Sequence, residues 1–283
     1  MPIQEDTIKP KPLKILAVSY SQTGQLDQVI ETFLLPFRDQ EVDRIRIESV
    51  PRFPFPWPTF DFFNAMPETV LEEPIPLEPI TYMEESYDLV VLGYQPWFLS
   101  PSLPISSLLQ DPDFRSRLKG TPVVTLSAGR NMWLNAQESV RKHIREAGGT
   151  LVANIPLVDR NLNHVSVITI IHWLIGGRKD RKWGIFPKPG VSDADIAFTQ
   201  TYGEKVRAAL VQQRWVGLQD QLLSFGKIKV PTDILFIEER AKRLFLIWAK
   251  LIKKKGNTPQ RRKRWVNAFK YYLLTALFVV APL

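Results

Sequence analysis

Between an apolar run, Leu13 to Ser19, and an amphipathic one lie Ser21-Gln22-Thr23-Gly24-Gln25, with two hydroxyls, two amides and one glycine. After this loop, Leu26, Val29, Ile30, Phe33 and Leu34 recur at helical spacing. Strand, loop and helix in that order put the loop amides at a helix N-terminus, where backbone donors are unpaired and the dipole favours an anion. Ser21 and Thr23 add hydroxyl donors, and Gly24 lets the backbone come close to a ligand. The loop therefore reads as a cradle for one phosphate. An ordinary strand-to-helix turn with a serine cap is the competing reading. The lysine of a nucleoside-triphosphate P-loop is missing, and so are the three glycines of a dinucleotide fingerprint.

Three further clusters carry chemistry. Gln95-Pro96-Trp97-Phe98-Leu99-Ser100 and Ala128-Gly129-Arg130-Asn131-Met132-Trp133 are rich in aromatic, amide and glycine groups, which suit a flat heteroaromatic ring. Trp97 or Trp133 would stack on it, and the amides of Phe98, Gly129 and Asn131 would bond a polar ring edge. The alternative is that these aromatics simply cap the sheet edge as core. In Asp159-Arg160-Asn161-Leu162-Asn163-His164, a polar cluster ends at a helix start, suited to a general base or a substrate clamp. A capping network fits the same residues. His172 sits in an apolar run and His143 on a basic helix, so no metal site is expected.

The elements that must position these groups follow from periodicity. Arg44–Val50 alternates as a half-buried second strand, and Tyr87–Gly93 is a continuous apolar strand buried on both faces. Pro122–Ser127 and Thr150–Val158 are the fourth and fifth strands. Helices are expected over Leu103–Leu109 and from about Asn135 to Ala147. Strands alternating with helices imply a doubly wound parallel sheet of five strands in order 2-1-3-4-5, with its ligand crevice at the carboxyl ends of strands one and three. The loops after strands one, three and four then converge there. Residues 51–80 interrupt the pattern with eight prolines and six aromatic residues. Proline this dense forbids regular helix or central strand, and so many rings need burial, so the segment is expected to roof a site or pack on the sheet edge. A proline-rich ligand for a partner is the alternative.

Composition narrows the class. The 283 residues hold no cysteine, which excludes disulfides, thiolate catalysis and cysteine-bound metal. Met1–Pro12 has no apolar core of a secretory signal, so a cytoplasmic setting is expected. The net charge of +8 is uneven: residues 232–283 carry 12 Lys/Arg against 3 Asp/Glu, and the remainder 25 against 26. A nearly neutral body argues against nucleic acid as partner. We divide the chain into residues 1–220, the sheet domain, and 221–283, a basic extension. There Ala241, Leu244, Phe245, Trp248, Leu251 and Ile252 mark an apolar helical face, and Tyr271–Leu283 is too short to span a bilayer. Basic and aromatic groups beside an apolar helix suggest an anchor on the anionic inner face of the cytoplasmic membrane. Docking on the chain's own domain is the alternative.

The first loop resembles the flavodoxin-type pattern that grips the single phosphate of FMN, with Leu26 where a final hydroxyl is common. Longer stretches resemble the DarA-type proteins, often named dialkylresorcinol condensing enzymes. These are Gln22–Leu26, Phe53-Pro54-Phe55-Pro56-Trp57, Gly93–Ser102, Arg130-Asn131-Met132-Trp133, Val158–His164 and Gly184–Asp193. The resemblance covers about residues 13–200. It implies a flavodoxin-like FMN protein that aromatises a dialkylcyclohexane-1,3-dione to a dialkylresorcinol, beside a ketosynthase partner. Loss of one hydride and one proton suits a flavin and a modest base. His164, alone or with Asp159 acting through it, is the candidate base, and Arg130 and Asn131 are the candidates for the enolate oxygens. Trp57, Trp133 and Arg160 are candidates for substrate contact. Ser21, Gln22, Thr23, Gly24, Gln25, Pro96, Trp97, Phe98, Leu99, Gly129, Arg130 and Asn131 are candidates for the cofactor. An NAD(P)H-dependent quinone or enone reductase and a non-catalytic membrane-tethered scaffold are the alternatives. A homodimer is compatible with each.

Overall fold

The computed structural model describes residues 12–230 and 232–280. The polar N-terminal stretch up to Lys11, the last three residues of the apolar C-terminal run and the side chain of Asn163 lie outside what is described. Five parallel strands, β1 (Lys14–Ser19), β2 (Glu41–Arg46), β3 (Leu89–Tyr94), β6 (Pro122–Gly129) and β7 (Thr150–Val158), form one sheet in the order β2-β1-β3-β6-β7. A two-residue pair, β4 (Pro96–Trp97) and β5 (Ser100–Pro101), makes a small antiparallel hairpin beyond β3. Counting only the strands of the main sheet, this is the expected 2-1-3-4-5 order. Every residue of β3 is buried, as a central strand covered on both faces requires.

The second strand starts three residues earlier than its alternation suggests. Lys14 pairs with Glu41 and Ser19 with Arg46, which fixes the register. As an edge strand, β2 carries Glu41, Asp43, Arg44 and Arg46, and its charges hide it from a hydrophobic reading. Asp43 is nonetheless buried and accepts hydrogen bonds from Tyr87 Oη and from the Met83 amide at 2.8 Å.

Helices cover both faces. On one, α1 (Gln25–Leu34), α8 (Asp193–Val211) and α9 (Leu218–Ser224) bury Leu26, Ile30, Phe33, Tyr202, Val206, Leu218 and Leu222 against Ile15, Ala17, Val91, Leu126 and Ile155. Gly203 makes this possible, because a Cβ there would lie 2.1 Å from the Phe33 carbonyl oxygen. The other face packs α4 (Leu103–Gln110), α5 (Pro112–Leu118) and α6 (Leu134–Glu146) on Leu16, Val18, Val90, Leu92 and Val123. Leu222 and Ile228 both belong to the first core, so the sheet domain runs past the boundary drawn at residue 220.

The proline-rich segment departs from expectation by forming two short helices, α2 (Thr59–Asn64) and α3 (Met66–Leu71). Its prolines do not obstruct them: Pro58 precedes the first turn of α2 and Pro67 lies within the first turn of α3, where no intrahelical N–H is required. The basic tail forms α10 (Thr232–Lys255) and α11 (Pro259–Thr275), which dock on these helices. Phe245, Ala249, Ile252, Val266 and Phe269 bury themselves against Phe63, Met66, Val70 and Leu99. Arg262 bonds Asn64 Oδ1 at 2.6 Å and Glu68 at 2.8 Å, and Lys253 reaches Glu73 at 2.7 Å. Docking on the chain's own domain is thus realised for this face of the tail. Among the described residues, no helix is long and apolar enough to cross a membrane.

Candidate functional site

At the carboxyl end of β1 the chain turns through Ser21–Gly24 into α1. Gly24 sits at the N-cap with φ +79°, a conformation that other residues adopt only with strain, and a Cβ there would meet nothing within 4 Å. Ser21 is 1% exposed and its hydroxyl has no protein partner. Arg46 donates to the Ser21 carbonyl at 3.1 Å and pairs with Asp27 at 3.1 Å. Burial pushes the Asp27 carboxyl up, and Arg46 pulls it back. This arginine keeps an acidic first turn from repelling an anion at the same helix end.

Not every residue of the loop points its side chain at a ligand. The side chain of Gln25 is committed to the Val191 backbone, accepting from its N–H and donating to its carbonyl, both at 2.9 Å. Gln22 donates from Nε2 to Pro54 O at 2.8 Å, and its amide donates to Gln95 Oε1 at 2.8 Å. The Gln22 and Gln25 side chains therefore lock the loop to the proline-rich segment and to the 190–191 turn. Neither side chain is left for a ligand, and the Gln22 N–H is itself taken by Gln95.

The remaining loops are tied to this one in sequence. Gln95 holds the loop after β1, and Pro96 packs so closely under Gly129 that a Cβ there would lie 3.0 Å from its Cδ. The Asp159 amide donates to Gly129 O at 2.9 Å, and Arg130 Nε donates to Ser166 Oγ at 3.1 Å, on α7 (Asn163–Gly176). The ends of β1, β3, β6 and β7 are thus brought together. Burial lowers the Arg130 guanidinium to about 10, with Asp159 opposing that shift, so it stays cationic at neutral pH. Ser166 and the 190–191 turn are site neighbours that residue-type reasoning passed over, since neither bears a charged or metal-binding group.

Several candidates take positions different from those expected. The Asp159 carboxylate accepts from Asn161 N at 2.9 Å, Asn161 Nδ2 at 2.7 Å and Gly190 N at 3.3 Å. Its oxygens shape the loop, and the relay through His164 is not made. Arg160 is exposed, pairs with Asp195 at 2.8 Å and borders a small hollow formed with Phe198, Tyr202 and Lys227, away from Arg130 and Asn131. In this structure its guanidinium is engaged in that surface ion pair. Trp57 and Trp97 stand 4.8 Å apart between ring centroids, with Phe53 edge-on to both. Tyr20 adds an edge to Trp97, so these tryptophans are spent on one another. The side chains of Phe98 and Leu99 turn into the tail's core beside Phe62, Phe245 and Phe269.

Among the described residues ten buried polar side-chain atoms have no protein partner, Trp57 Nε1, Ser102 Oγ and Glu238 Oε2 among them; four belong to these loops and to the start of α7: Ser21 Oγ, Asn131 Oδ1, Trp133 Nε1 and His164 Nε2. Trp133 is almost fully buried. Such orphans are rare in folded chains, and each ordinarily has a bound group or water to explain it. These four lie on the loops after β1 and β6 and on the first turn of α7. A hydroxyl donor at a helix N-terminus suits a phosphate. An amide oxygen, an indole N–H and an imidazole nitrogen suit the polar rim of a ring. The donor set therefore fits a phosphorylated heteroaromatic cofactor.

The sheet order, with these loops at its switch point, decides the fold. It is flavodoxin-like. No family model and no curated protein matches the chain. Among solved structures it is similar to a flavoprotein in complex with FMN from Lactobacillus acidophilus, at 14% identity over 51% of this chain and 93% of that one, with a TM-score of 0.41. It is also similar to oxidised flavodoxin 1 from Bacillus cereus, at 14% identity over 70% and 97%, with a TM-score of 0.35. A flavone reductase aligns at 11% identity over 71% and 64%, with a TM-score of 0.39. At such scores the strand order, and not these likenesses, carries the fold.

Proposed function

We propose that this chain is an FMN-dependent oxidoreductase that aromatises a hydrophobic dialkylcyclohexane-1,3-dione to a dialkylresorcinol. The observation that carries the reading is the group of partnerless buried atoms at Ser21, Asn131, Trp133 and His164. The motif resemblance over residues 13–200 supports the choice of substrate. Ser21, Thr23 and the first amides of α1 hold the phosphate, and Asn131 and Trp133 hold the polar ring edge. FMN, when bound, supplies a two-electron acceptor for the hydride that the dione loses.

The protein's own residues manage the proton. The hydrogen between the two carbonyls is acidic, and His164 Nε2, buried without a partner, accepts it. Arg130, still cationic at neutral pH, stabilises the enolate oxygen, and Ser166 orients the guanidinium. One hydride and one proton leave, and the ring gains its third double bond.

Location and partners fit the same reading. On α10 the side chains of Phe236, Ile237, Leu244 and Ile247 are exposed, and the Arg240 guanidinium lies 4.1 Å from the Phe236 ring centroid. An apolar stripe edged with arginines suits the anionic face of a membrane, where long alkyl substrates and a ketosynthase partner would be found. Retention on vesicles containing anionic lipid, weakened by salt, is the expected result.

The deciding experiment is a titration of the purified full-length protein with FMN, followed by anaerobic addition of dione. Uptake of FMN and bleaching by dione are expected. His164→Ala should keep FMN and slow bleaching by about 100-fold or more. Bleaching by NAD(P)H but not by dione would replace this reading with a quinone or enone reductase. Folded protein that takes up no FMN would leave only a scaffold.

A further inference from the structure

The tail helix α10 touches the body through two charged residues as well as through its rings. Lys242 Nζ donates to Leu99 O at 3.1 Å and to Ser100 Oγ. One turn earlier, Glu238 is fully buried, and its Oε1 accepts from the Asn135 amide at 2.7 Å and from Asn135 Nδ2 at 3.1 Å. The spacing 238, 242, 245, 249, 252 places both charges on the face that buries Phe245, Ala249 and Ile252. An apolar pair at 238 and 242 would dock that face at lower cost, because burying charges carries a large desolvation penalty.

The partners of these charges are telling. Leu99 and Phe98 are consecutive non-glycine residues at φ +62° and +47°, a left-handed pair that costs on the order of 1 kcal/mol or more per residue unless something outside holds it. Lys242 holds it at the carbonyl of the second residue. Asn135 lies in the first turn of α6, immediately after the Arg130–Trp133 loop. Glu238 Oε1 caps the Asn135 amide at that helix end, where a carboxylate is favoured, while its Oε2 is buried without a partner. Gly129 against Pro96 joins the two loops to one another.

We propose that Lys242 and Glu238 are positioning residues of the cofactor site: from α10, Glu238 fixes the start of α6 behind the Asn131–Trp133 loop, and Lys242 fixes the 96–101 hairpin that Pro96 packs against Gly129 of the same loop. The inference rests on the FMN reading above. It makes the tail a structural part of the ring seat, so that whatever moves α10 moves the loops after β3 and β6 together.

The test uses the full-length protein and the variants Lys242→Met, Lys242→Arg, Glu238→Gln and Ser100→Ala. FMN affinity is read by fluorescence quenching, the flavin environment by the visible absorption band, and folding by circular dichroism. Lys242→Met should raise the Kd for FMN tenfold or more and move the band towards that of FMN in water, and Glu238→Gln, which keeps an acceptor for Asn135 and loses the charge, should raise it several-fold, with the circular dichroism unchanged. Lys242→Arg should keep most of the affinity. Ser100→Ala removes only the acceptor hydroxyl in a small buried side chain, and should raise Kd several-fold. Wild-type Kd and an unshifted band in folded Lys242→Met and Glu238→Gln would overturn the inference while leaving FMN binding intact. A wild-type protein that takes up no FMN would overturn the reading beneath it, and this inference with it.

Discussion

The two ends of the candidate site are built in different ways. The phosphate end, Ser21–Gln25, belongs to one strand-loop-helix unit whose core is aliphatic and close in sequence: Ile15, Ala17, Leu26, Val29 and Ile30. The ring end gathers segments from across the chain. Its hairpin at 96–101 leans on rings at 53, 57 and 62, and on α10 and α11 more than 140 residues away. Local construction makes the phosphate loop independent of distant changes. Long-range construction makes the ring seat adjustable, because its loops answer to a second core of Phe63, Met66, Phe245 and Phe269 that the sheet does not need.

The largest expected effect would test whether that second core is separable. Phe269 is fully buried, with ring centroids of Phe245 at 5.6 Å and Trp248 at 5.8 Å. Phe269→Ala should cost about 3–5 kcal/mol, mostly at the ring end. In a denaturant titration the tryptophan signal, dominated at that end by Trp57, Trp97 and Trp248, should then unfold before the far-ultraviolet signal of the sheet. Coincident transitions would make the two ends one cooperative unit, and the contrast drawn above would fail.

A smaller effect of opposite character belongs to the phosphate end. Ser21 Oγ is buried with nothing to bond, so Ser21→Ala removes an unsatisfied hydroxyl and should leave the protein without ligand as stable or about 1 kcal/mol more stable. The same change removes one donor to the phosphate and should weaken FMN binding by about 2 kcal/mol. Stability and affinity moving in opposite directions is the signature of a residue kept for a ligand. Loss of both together would make Ser21 an ordinary core residue.

These contrasts explain what the sequence could reveal. The order of the sheet was legible because β1, β3, β6 and β7 are short apolar runs separated by helical periodicity, and the phosphate loop follows the first of them directly. β2 was misplaced because an edge strand alternates weakly and carries charge. Trp97 and Phe98 were legible as site residues only by type, and their real neighbours, Trp57 and Phe245, are set by pairings of high sequence separation. Arg160 and Asp159 lie in one polar cluster with His164, yet one turns outward to Asp195 and the other into its own loop. A string of residues cannot fix such a rotation. Glu238 and Lys242 did leave a signal, since both fall on the apolar spacing of α10, where a charge must find a buried partner.

The smallest effect concerns the seam that ties α6 to α3 and α10. Asn135, Ser139 and His143 follow one another at four-residue spacing along α6, and Glu238, Lys242 and Leu246 do so along α10. Glu72, just past α3, accepts from Ser139 Oγ at 2.6 Å and lies 3.2 Å from His143 Nε2. Glu72, Ser139, His143, Lys242 and Leu246 line a hollow of about 710 Å³ beside this seam. Burial pushes the Glu72 carboxyl up, but the bonds from His143 and Ser139 and the attraction of Lys242 outweigh it and hold the group below the usual carboxylate range. A carboxyl lowered on folding stabilises the folded state above its ordinary pKa, and that contribution is lost as the pH falls towards the lowered value. Glu72→Gln should therefore cost about 1–2 kcal/mol at neutral pH. The variant and the wild type should converge in stability as the pH is lowered through the carboxylate range, in denaturant midpoints measured at each pH. Because Ser21 and Gly24 make no bond to this seam, the same acidification should loosen the ring end first, releasing the flavin's visible-band shift before its phosphate-dependent affinity. A parallel loss of both would join the two ends more tightly than their separate cores suggest.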